Sequence, residues 1–230
     1  MIKAPIDWRK AATEFIVIVF GVLAALAVDQ WRDDRDDQAT EAEYLARLGS
    51  DLNADADQFA RFEKVFETKA RVITQLRDLG LSELMALDHG QLLNDLVLSS
   101  YTGLAATQST TFDELLSTGR LALIKDVHLR DELSRYYTRH ELLSGILVLG
   151  HGDYMRLWQE SMPGELIYQW RLSKSLSSSD DLHVGLDALK SSPGLKAAAN
   201  AEITYTASLV LYHREYRDSA RELLKLLVEN

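Results

Sequence analysis

The chain has 230 residues and a formal net charge of −10, with 35 acidic against 25 basic side chains, and it contains no cysteine. The absence of cysteine excludes disulfides, thiol catalysis and cysteine-ligated zinc. Residues 1–28 carry three basic and two acidic side chains, so the remainder carries −11, and such a domain is not expected to bind nucleic acid through its overall field. Only three prolines occur and strand-like alternation is scarce, which predicts an all-α fold.

The only long apolar run lies almost at the N-terminus, at residues 15–28, where fourteen consecutive residues have no polar side chain. A membrane-spanning helix needs about 20 residues. The residues before the run extend it toward this length, because residues 11–13 are small or weakly polar and only Glu14 is costly to place in a membrane. Trp8 and Trp31 bracket the run 23 positions apart, about 35 Å along a helix, which suits anchors at two opposite membrane interfaces. The run and its flanks therefore predict a transmembrane helix.

Three interpretations of this segment remain open at this stage: an uncleaved anchor over residues 11–31, a cleaved signal peptide, and a buried core helix of a soluble protein. The signal-peptide interpretation has a basic start, an apolar stretch and an A-x-A cleavage motif at Ala25-Leu26-Ala27. Glu14 would be unusual at the start of such an apolar stretch, and this favours the anchor.

The basic residues around the apolar run predict its orientation. Three basic side chains precede the run, whereas two, Arg32 and Arg35, follow it. Because cytoplasmic flanks carry the excess of lysine and arginine, residues 1–10 are expected to form a short cytoplasmic tail. Residues 32–230 are then expected to form a helical extracytoplasmic domain. In a bacterium this places the anchor in the inner membrane and the domain in the periplasm.

The first helix is expected to continue out of the membrane into a helical bundle. From Leu45 to Leu76 the apolar residues recur at steps of three and four, interrupted only by Asp55 and Lys69. We call this row the seam; it comprises Leu45, Leu48, Leu52, Asp55, Phe59, Phe62, Phe66, Lys69, Ile73 and Leu76. We interpret Asp55 and Lys69 as solvated breaks; the alternative is that each meets a polar partner on a neighbouring helix. Glu63 lies off the seam and is expected to be exposed.

Later helices are marked by their capping residues. Residues 111–114 fit a capping box, and Gly119 is expected to end that helix. Asp126 is expected to begin a long helix that runs to Pro163. The last helix is expected to begin after residues 191–194. Its apolar stripe is Tyr205, Leu209, Tyr212, Tyr216, Ser219, Leu223 and Leu226.

Two segments carry a recognisable pattern. Residues 14–31 read EFIVIVFGVLAALAVDQW, with an acidic residue opening the span, a glycine within it, and an amide and a tryptophan closing it. This segment is followed by the run Tyr44-Leu45-x-x-Leu48-x-x-Asp51-Leu52, and residues 111–125 read TFDELLSTGRLALIK. Together they resemble a family of bacterial single-pass membrane proteins classed as a domain of unknown function. The resemblance implies an uncleaved anchor followed by a helical domain beyond the membrane, and it implies no particular activity.

The sequence contains no recognised catalytic, cofactor or metal motif. The six histidines lack metal-ligand spacing, and Walker A, G-x-G-x-x-G and G-x-S-x-G motifs are absent. The aspartates of residues 33–37 lack the spacing of a calcium loop and are interpreted as a solvated acidic segment. Tyr136, Tyr137 and the tyrosines of the last helix are interpreted as core residues whose hydroxyls reach the rim; the alternative is a ligand pocket. We expect no enzyme activity, cofactor or metal.

One face of the predicted span is suited to helix contact. Glu14, Gly21 and Ala25 lie at i, i+7 and i+11, which is one side of a helix. Gly21 and Ala25 form a small-xxx-small surface, and an ionisable residue in the same row is expected to face protein. The alternative is that Glu14 snorkels to the headgroups. We predict that this face contacts a transmembrane helix of another membrane protein or of a second copy.

These observations favour a non-enzymatic single-pass membrane protein that acts as an interaction or accessory subunit of a membrane complex. Its expected partners are the lipid bilayer and a membrane protein or a second copy, without nucleic acid. The alternative is an extracytoplasmic domain that senses a small-molecule ligand, of unknown identity, and signals through a partner.

Overall fold

The computed structural model describes residues 8–147, 152–173 and 179–229, with side chains from residue 15 onward. The described residues form nine α-helices and one 3-10 turn, at Arg120–Leu123, and contain no strand, which confirms the all-α prediction. The helices are α1 Trp8–Asp78, α2 Leu81–Met85, α3 His89–Ser99, α4 Thr110–Ser117, α5 Val127–Leu147, α6 Asp153–Ser161, α7 Gly164–Ser173, α8 Ser179–Ser191 and α9 Leu195–Glu229.

Helix α1 organises the fold. It has 71 residues, about 105 Å at a rise of 1.5 Å per residue, and it enters the domain at Tyr44, its first buried side chain among those described. Helix α9 runs antiparallel to it. At one end of the pair the Cβ position of Gly49 lies 3.8 Å from Leu227 Cδ1, and at the other Arg77 donates a hydrogen bond to Asn200 at 2.8 Å.

Two hydrophobic clusters follow one another along this pair in the described part of the chain. The nearer to the start of the domain combines Leu52 and Phe59 of α1 with buried residues of α4, α5 and the C-terminal half of α9. The farther combines Val72 and Leu76 of α1 with buried residues of α3, α6, α7, α8 and the start of α9. The short helices therefore cover both ends of one long antiparallel pair.

The seam is confirmed as the buried face of α1. Eight of its ten residues are buried, and Leu45 and Phe62 are half-buried. Apolar residues spaced at three and four lie on one side of a helix, so one partner surface can cover all of them.

Two local predictions are wrong and two are confirmed. The capping box at residues 111–114 is absent, because α4 begins at Thr110 with Ser109 before it and Glu114 instead bonds residues of α1. The helix predicted from Asp126 onward does not reach Pro163 unbroken, because Gly152 is extended (φ −101°, ψ −176°).

Asp126 does cap α5, accepting the backbone N–H groups of residues 128 and 129 at 2.7 and 3.1 Å. Gly119 has the left-handed φ of 70° that favours glycine.

Candidate functional site along helix α1

The apolar segment, residues 15–28, lies outside the folded domain. Its phenylalanines, leucines and isoleucines and three of its valines are 54–69% exposed. Helix α1 contains an 18-residue window with a mean hydropathy of 1.8, none of which is buried. By length and composition this helix can cross a membrane. The core-helix interpretation is wrong, because a core helix would be covered by the domain.

The predicted contact face is open on this chain. Gly21 and Ala25 are exposed, and the Cβ position of Gly21 has no neighbouring atom within 4 Å. The side chains of Glu14 and Trp8 lie outside the described residues. Trp31 is 58% exposed, and the Arg35 guanidinium carbon lies 5.0 Å from its ring centroid, close enough for a cation–π contact. A charged group thus meets the tryptophan just where the apolar segment ends.

Residues 29–43, which we call the neck, join the apolar segment to the domain. They carry seven acidic and two basic side chains and are exposed, apart from half-buried Thr40 and Glu41. Fifteen helical residues span about 22 Å, so the neck holds the domain away from the apolar segment. Among the described residues, no group of three or more acidic or histidine side chains is arranged to hold a metal ion.

The start of the domain is fixed to α1 by a polar contact with α4. The Tyr44 hydroxyl donates to Glu114 at 2.8 Å, and the Arg47 guanidinium donates to the other carboxylate oxygen at 2.5 Å. Arg47 holds the pKa of Glu114 below its usual range, with a further contribution from the Tyr44 hydroxyl.

Asp55 is the first of two seam residues whose predicted solvation is wrong. Its side chain is fully buried. It accepts the Gln108 backbone N–H at 2.7 Å and the Tyr136 hydroxyl at 3.0 Å. Burial raises the pKa of Asp55 to about 6, and the two hydrogen bonds oppose that rise. Asp55 therefore joins α1 to α5 and to the loop before α4.

Lys69 is the second such residue. Its ammonium group lies 2.6 Å from a carboxylate oxygen of Glu202 on α9, and both side chains are at most 2% exposed. It also donates to the Tyr101 carbonyl at 2.7 Å. Burial lowers the pKa of Lys69, and the Glu202 carboxylate opposes that change. The structure therefore supports the alternative interpretation of both seam residues, that of polar partners on neighbouring elements.

Glu63 was expected to be exposed, and this is also wrong. Its side chain is 8% exposed and accepts hydrogen bonds from Arg214, at 2.7 Å, and from Arg217. These arginines lie one turn apart on α9, so both reach a single carboxylate on the facing helix. The pair α1 and α9 is thus joined by ionic contacts at two levels, Glu63 and Lys69.

Two buried histidines hold the loop before α4. The His140 Nε2 atom lies 3.2 Å from the Ala105 carbonyl, and the Ala105 N–H donates to His213 Nε2 at 3.4 Å. His213 Nδ1 lies 2.7 Å from the Leu209 carbonyl, so we assign its proton to Nδ1. Burial lowers the pKa of both histidines, that of His213 to about 4. Both are core residues that act as neutral hydrogen-bonding groups.

The predicted burial of the tyrosine rings is confirmed, but the predicted position of two hydroxyls is wrong. Tyr136, Tyr137, Tyr212 and Tyr216 are buried in the core, as predicted. The hydroxyls of Tyr212 and Tyr216 do not reach the rim: both are buried, and neither has a hydrogen-bond partner among the described residues.

The buried polar groups of α1 point into the domain and bond partners on other elements, so their chemistry is structural. They fix the position of α1 along α9 and α5 and do not present a reactive group to solvent. The predicted stripe of α9 is largely confirmed, because Leu209, Tyr212, Tyr216 and Leu223 are buried and Tyr205, Ser219 and Leu226 are half-buried. Glu202 lies one step of three residues before Tyr205, where the predicted stripe begins, and was therefore not included in it. Extended by that step, the stripe contains one acidic residue that meets the lysine of the seam.

A family model described as a family of unknown function (DUF6090) matches residues 14–148, which is more than half of the chain. The match begins at the acidic residue before the apolar segment and ends just after α5. No curated protein and no solved structure matches the chain.

Proposed function

The chain belongs to the DUF6090 family of unknown function, and we propose that it is a non-enzymatic, single-pass protein of a bacterial inner membrane. In this proposal it serves as an interaction or accessory subunit of a membrane complex. Residues 1–10 lie in the cytoplasm, residues 11–31 cross the membrane, and residues 32–230 form a periplasmic domain.

The observation that carries the proposal is the continuity of α1. One unbroken helix contains an apolar segment with no cover, an exposed neck, and the central helix of the domain. An all-apolar helix surface is stable in lipid or against protein, not in water. Because α1 also forms half of the central pair, whatever binds the span is connected to the domain core without a flexible linker.

The buried charges support a binding role more than a catalytic one. Asp55, Glu63 and Lys69 are each bonded to partners within the domain, so they stabilise one arrangement of the helices. The exposed features of α1 are a bare apolar segment with a small-residue face and a neck of strongly acidic composition. Both are surfaces for contact.

Membrane extraction tests the anchor. We expect the full chain to stay in the membrane pellet after alkaline carbonate washing. Leu23→Arg puts a charge near the middle of the span, which costs about 2.5–3.5 kcal/mol on insertion scales, and should release much of the protein. Leu142→Arg is the matched control, because Leu142 is 64% exposed on the domain surface, and it should stay in the pellet. A soluble product beginning at Val28 would show signal-peptide cleavage and contradict the anchor.

Co-purification tests the interaction role. The tagged chain, extracted from native membranes in mild detergent, should carry a membrane protein or a second copy at a fixed ratio. Recovery of the chain as a monomer, under conditions that preserve known complexes of the same membrane, would contradict the proposal.

A further inference from the structure

Helices α5 and α9 enclose a groove on the side of the domain that holds the cluster nearer the neck. Its volume is about 670 Å³, and residues 128–139 of α5 and 215–226 of α9 line it. Small-molecule sites typically measure about 300–1,000 Å³, so the groove has the size of a ligand site. It lies apart from the apolar segment, so ligand binding in the groove does not depend on the anchor.

The floor of the groove is aromatic and apolar. Tyr136, Tyr216 and Leu223 are buried there, and Leu226 is half-buried. The Tyr136 hydroxyl is used by Asp55, whereas that of Tyr216 has no hydrogen-bond partner in the described part of the chain. Because the Tyr216 hydroxyl is itself buried, the floor offers a ligand apolar contact and no hydrogen-bonding group.

The rim of the groove carries more acidic than basic side chains. Two carboxylates of the lining have arginine partners that also line the groove: Glu132 with Arg135, and Glu215 with Arg139 at 2.7 Å.

Two further carboxylates, Asp218 and Glu222, lie one turn apart on α9 and face the groove. Their cationic partners, Arg217 and Lys225, are not part of the lining. The lining therefore has two more negative than positive side chains. The domain charge of −11 adds to this local field, which attracts cations.

We propose that this groove binds an organic cation, with an apolar or aromatic body over Tyr216 and Leu223 and an ammonium group between Asp218 and Glu222. The carboxylates contribute charge attraction, and the leucines remove the apolar body from water. A ligand seated here contacts α5 and α9 together, the two helices that bond α1 through Asp55 and Lys69.

The test is equilibrium dialysis of the full chain in neutral detergent with three probes of matched size: 2-phenylethylammonium, 2-phenylethanol and 3-phenylpropionate. The cation should bind saturably and at least about tenfold more tightly than the other two, a difference of about 1.4 kcal/mol. Equal binding of the three probes, or no saturable binding of the cation, would overturn the inference.

Paired variants locate the site. The double change Asp218→Asn with Glu222→Gln removes two charges from the rim and should weaken cation binding about fivefold or more. Asp153→Asn with Glu160→Gln removes two charges from α6, outside the groove, and should leave binding unchanged. All four side chains are more than half exposed, so neither double variant should alter folding. An equal loss in both would show that overall charge, not the groove, attracts the cation.

Discussion

The two halves of helix α1 have the same secondary structure and opposite surroundings. Residues 15–28 are apolar on every side and exposed apart from half-buried Val19, whereas the seam is apolar on one side and buried there. A surface that is apolar all round needs a surrounding apolar medium, while a single stripe needs only one facing helix. The first half can cross a membrane by its length and composition, and the second is the central helix of the domain.

The two halves also differ in how charge is placed. No ionisable residue interrupts residues 15–28, yet the seam contains Asp55 and Lys69 at fully buried positions. A charged side chain at the centre of a bilayer has few polar groups with which to pair. A charged side chain on the seam is paired with a group at a fixed position, and the pair determines which residues of the two helices lie opposite each other. Variants of both halves should reveal this difference, and the largest effect is expected at the buried ion pair.

The Lys69 and Glu202 pair should have the largest effect when only one partner is removed. Lys69→Met leaves a buried carboxylate without its partner, which should lower the free energy of unfolding by about 3–5 kcal/mol. Removing both charges with Lys69→Met and Glu202→Leu should restore most of this loss, because a buried ion pair adds little net stability over apolar packing. Urea unfolding followed by circular dichroism measures both. Equal losses in the single and double variants would mean that packing volume, not charge, matters here.

Glu63 should have a smaller effect that still exceeds that of a surface carboxylate. Glu63→Gln weakens the bonds from Arg214 and Arg217 and should cost about 1–2 kcal/mol. Asp57→Asn makes the same chemical change six residues away, at an exposed position of α1, and should cost less than about 0.5 kcal/mol. If the two variants melt at the same temperature, the bonds to Glu63 do not contribute to stability.

Local pattern was enough to predict much of this fold. The spacing from Leu45 to Leu76 showed the buried side of α1, because that side depends only on helix geometry. Asp126 and Gly119 mark their helix ends for similarly local reasons, a carboxylate that caps N–H groups and a residue that tolerates positive φ. The apolar segment was visible from composition alone.

Pairings between distant residues could not be predicted in the same way. Whether Asp55 is solvated depends on Gln108 and Tyr136, which lie more than 50 residues along the chain. The stripe predicted for α9 begins at Tyr205, three residues after Glu202, so Glu202 was not recognised as buried and Lys69 had no evident partner. The groove between α5 and α9 likewise depends on how two helices diverge in space, for which neither helix alone carries a signal.

Asp55 should give the domain a measurable pH dependence. Its folded pKa is about 6 and its unfolded value is about 3.9, so between these values the folded chain binds more protons. Its contribution to stability therefore falls as the pH rises from about 4 to 6. Asp55→Asn cannot titrate, so its melting temperature relative to the wild type should increase over that interval and then level off.

The control for that measurement is Asp57→Asn, whose melting temperature relative to the wild type should not vary with pH in this way. His213 acts in the opposite direction in the same range. Its folded pKa of about 4 lies below the unfolded value of about 6.5, so its contribution is lost as the pH falls. Because His213 is present in every variant compared, its effect cancels in the differences. A relative melting temperature of Asp55→Asn that decreases as pH rises would mean that the Asp55 pKa is lowered, not raised, by folding.

The apolar segment should respond to changes of shape where the seam responds to changes of charge. Helices in lipid associate through close packing and polar contacts, since lipid is itself apolar. Gly21 has an open Cβ position, so a partner helix can approach it most closely. Gly21→Leu should therefore reduce association about three- to tenfold, whereas Val17→Leu, a smaller change of volume, should reduce it less.

The measurement takes advantage of the absence of cysteine. Gln30→Cys introduces one thiol at an exposed position just past the apolar segment, and a thiol-to-amine crosslinker applied to native membranes captures either a second copy or another protein.

Glu14→Gln and Glu14→Leu complete the set of variants. If Glu14 meets a donor on the partner helix, Glu14→Gln should lower the crosslinking yield mildly and Glu14→Leu severely. Mild effects of both would mean that Glu14 extends to the headgroups. Unchanged crosslinking for Gly21→Leu and Glu14→Leu together would mean that the span is a plain anchor, and that partners bind the domain alone.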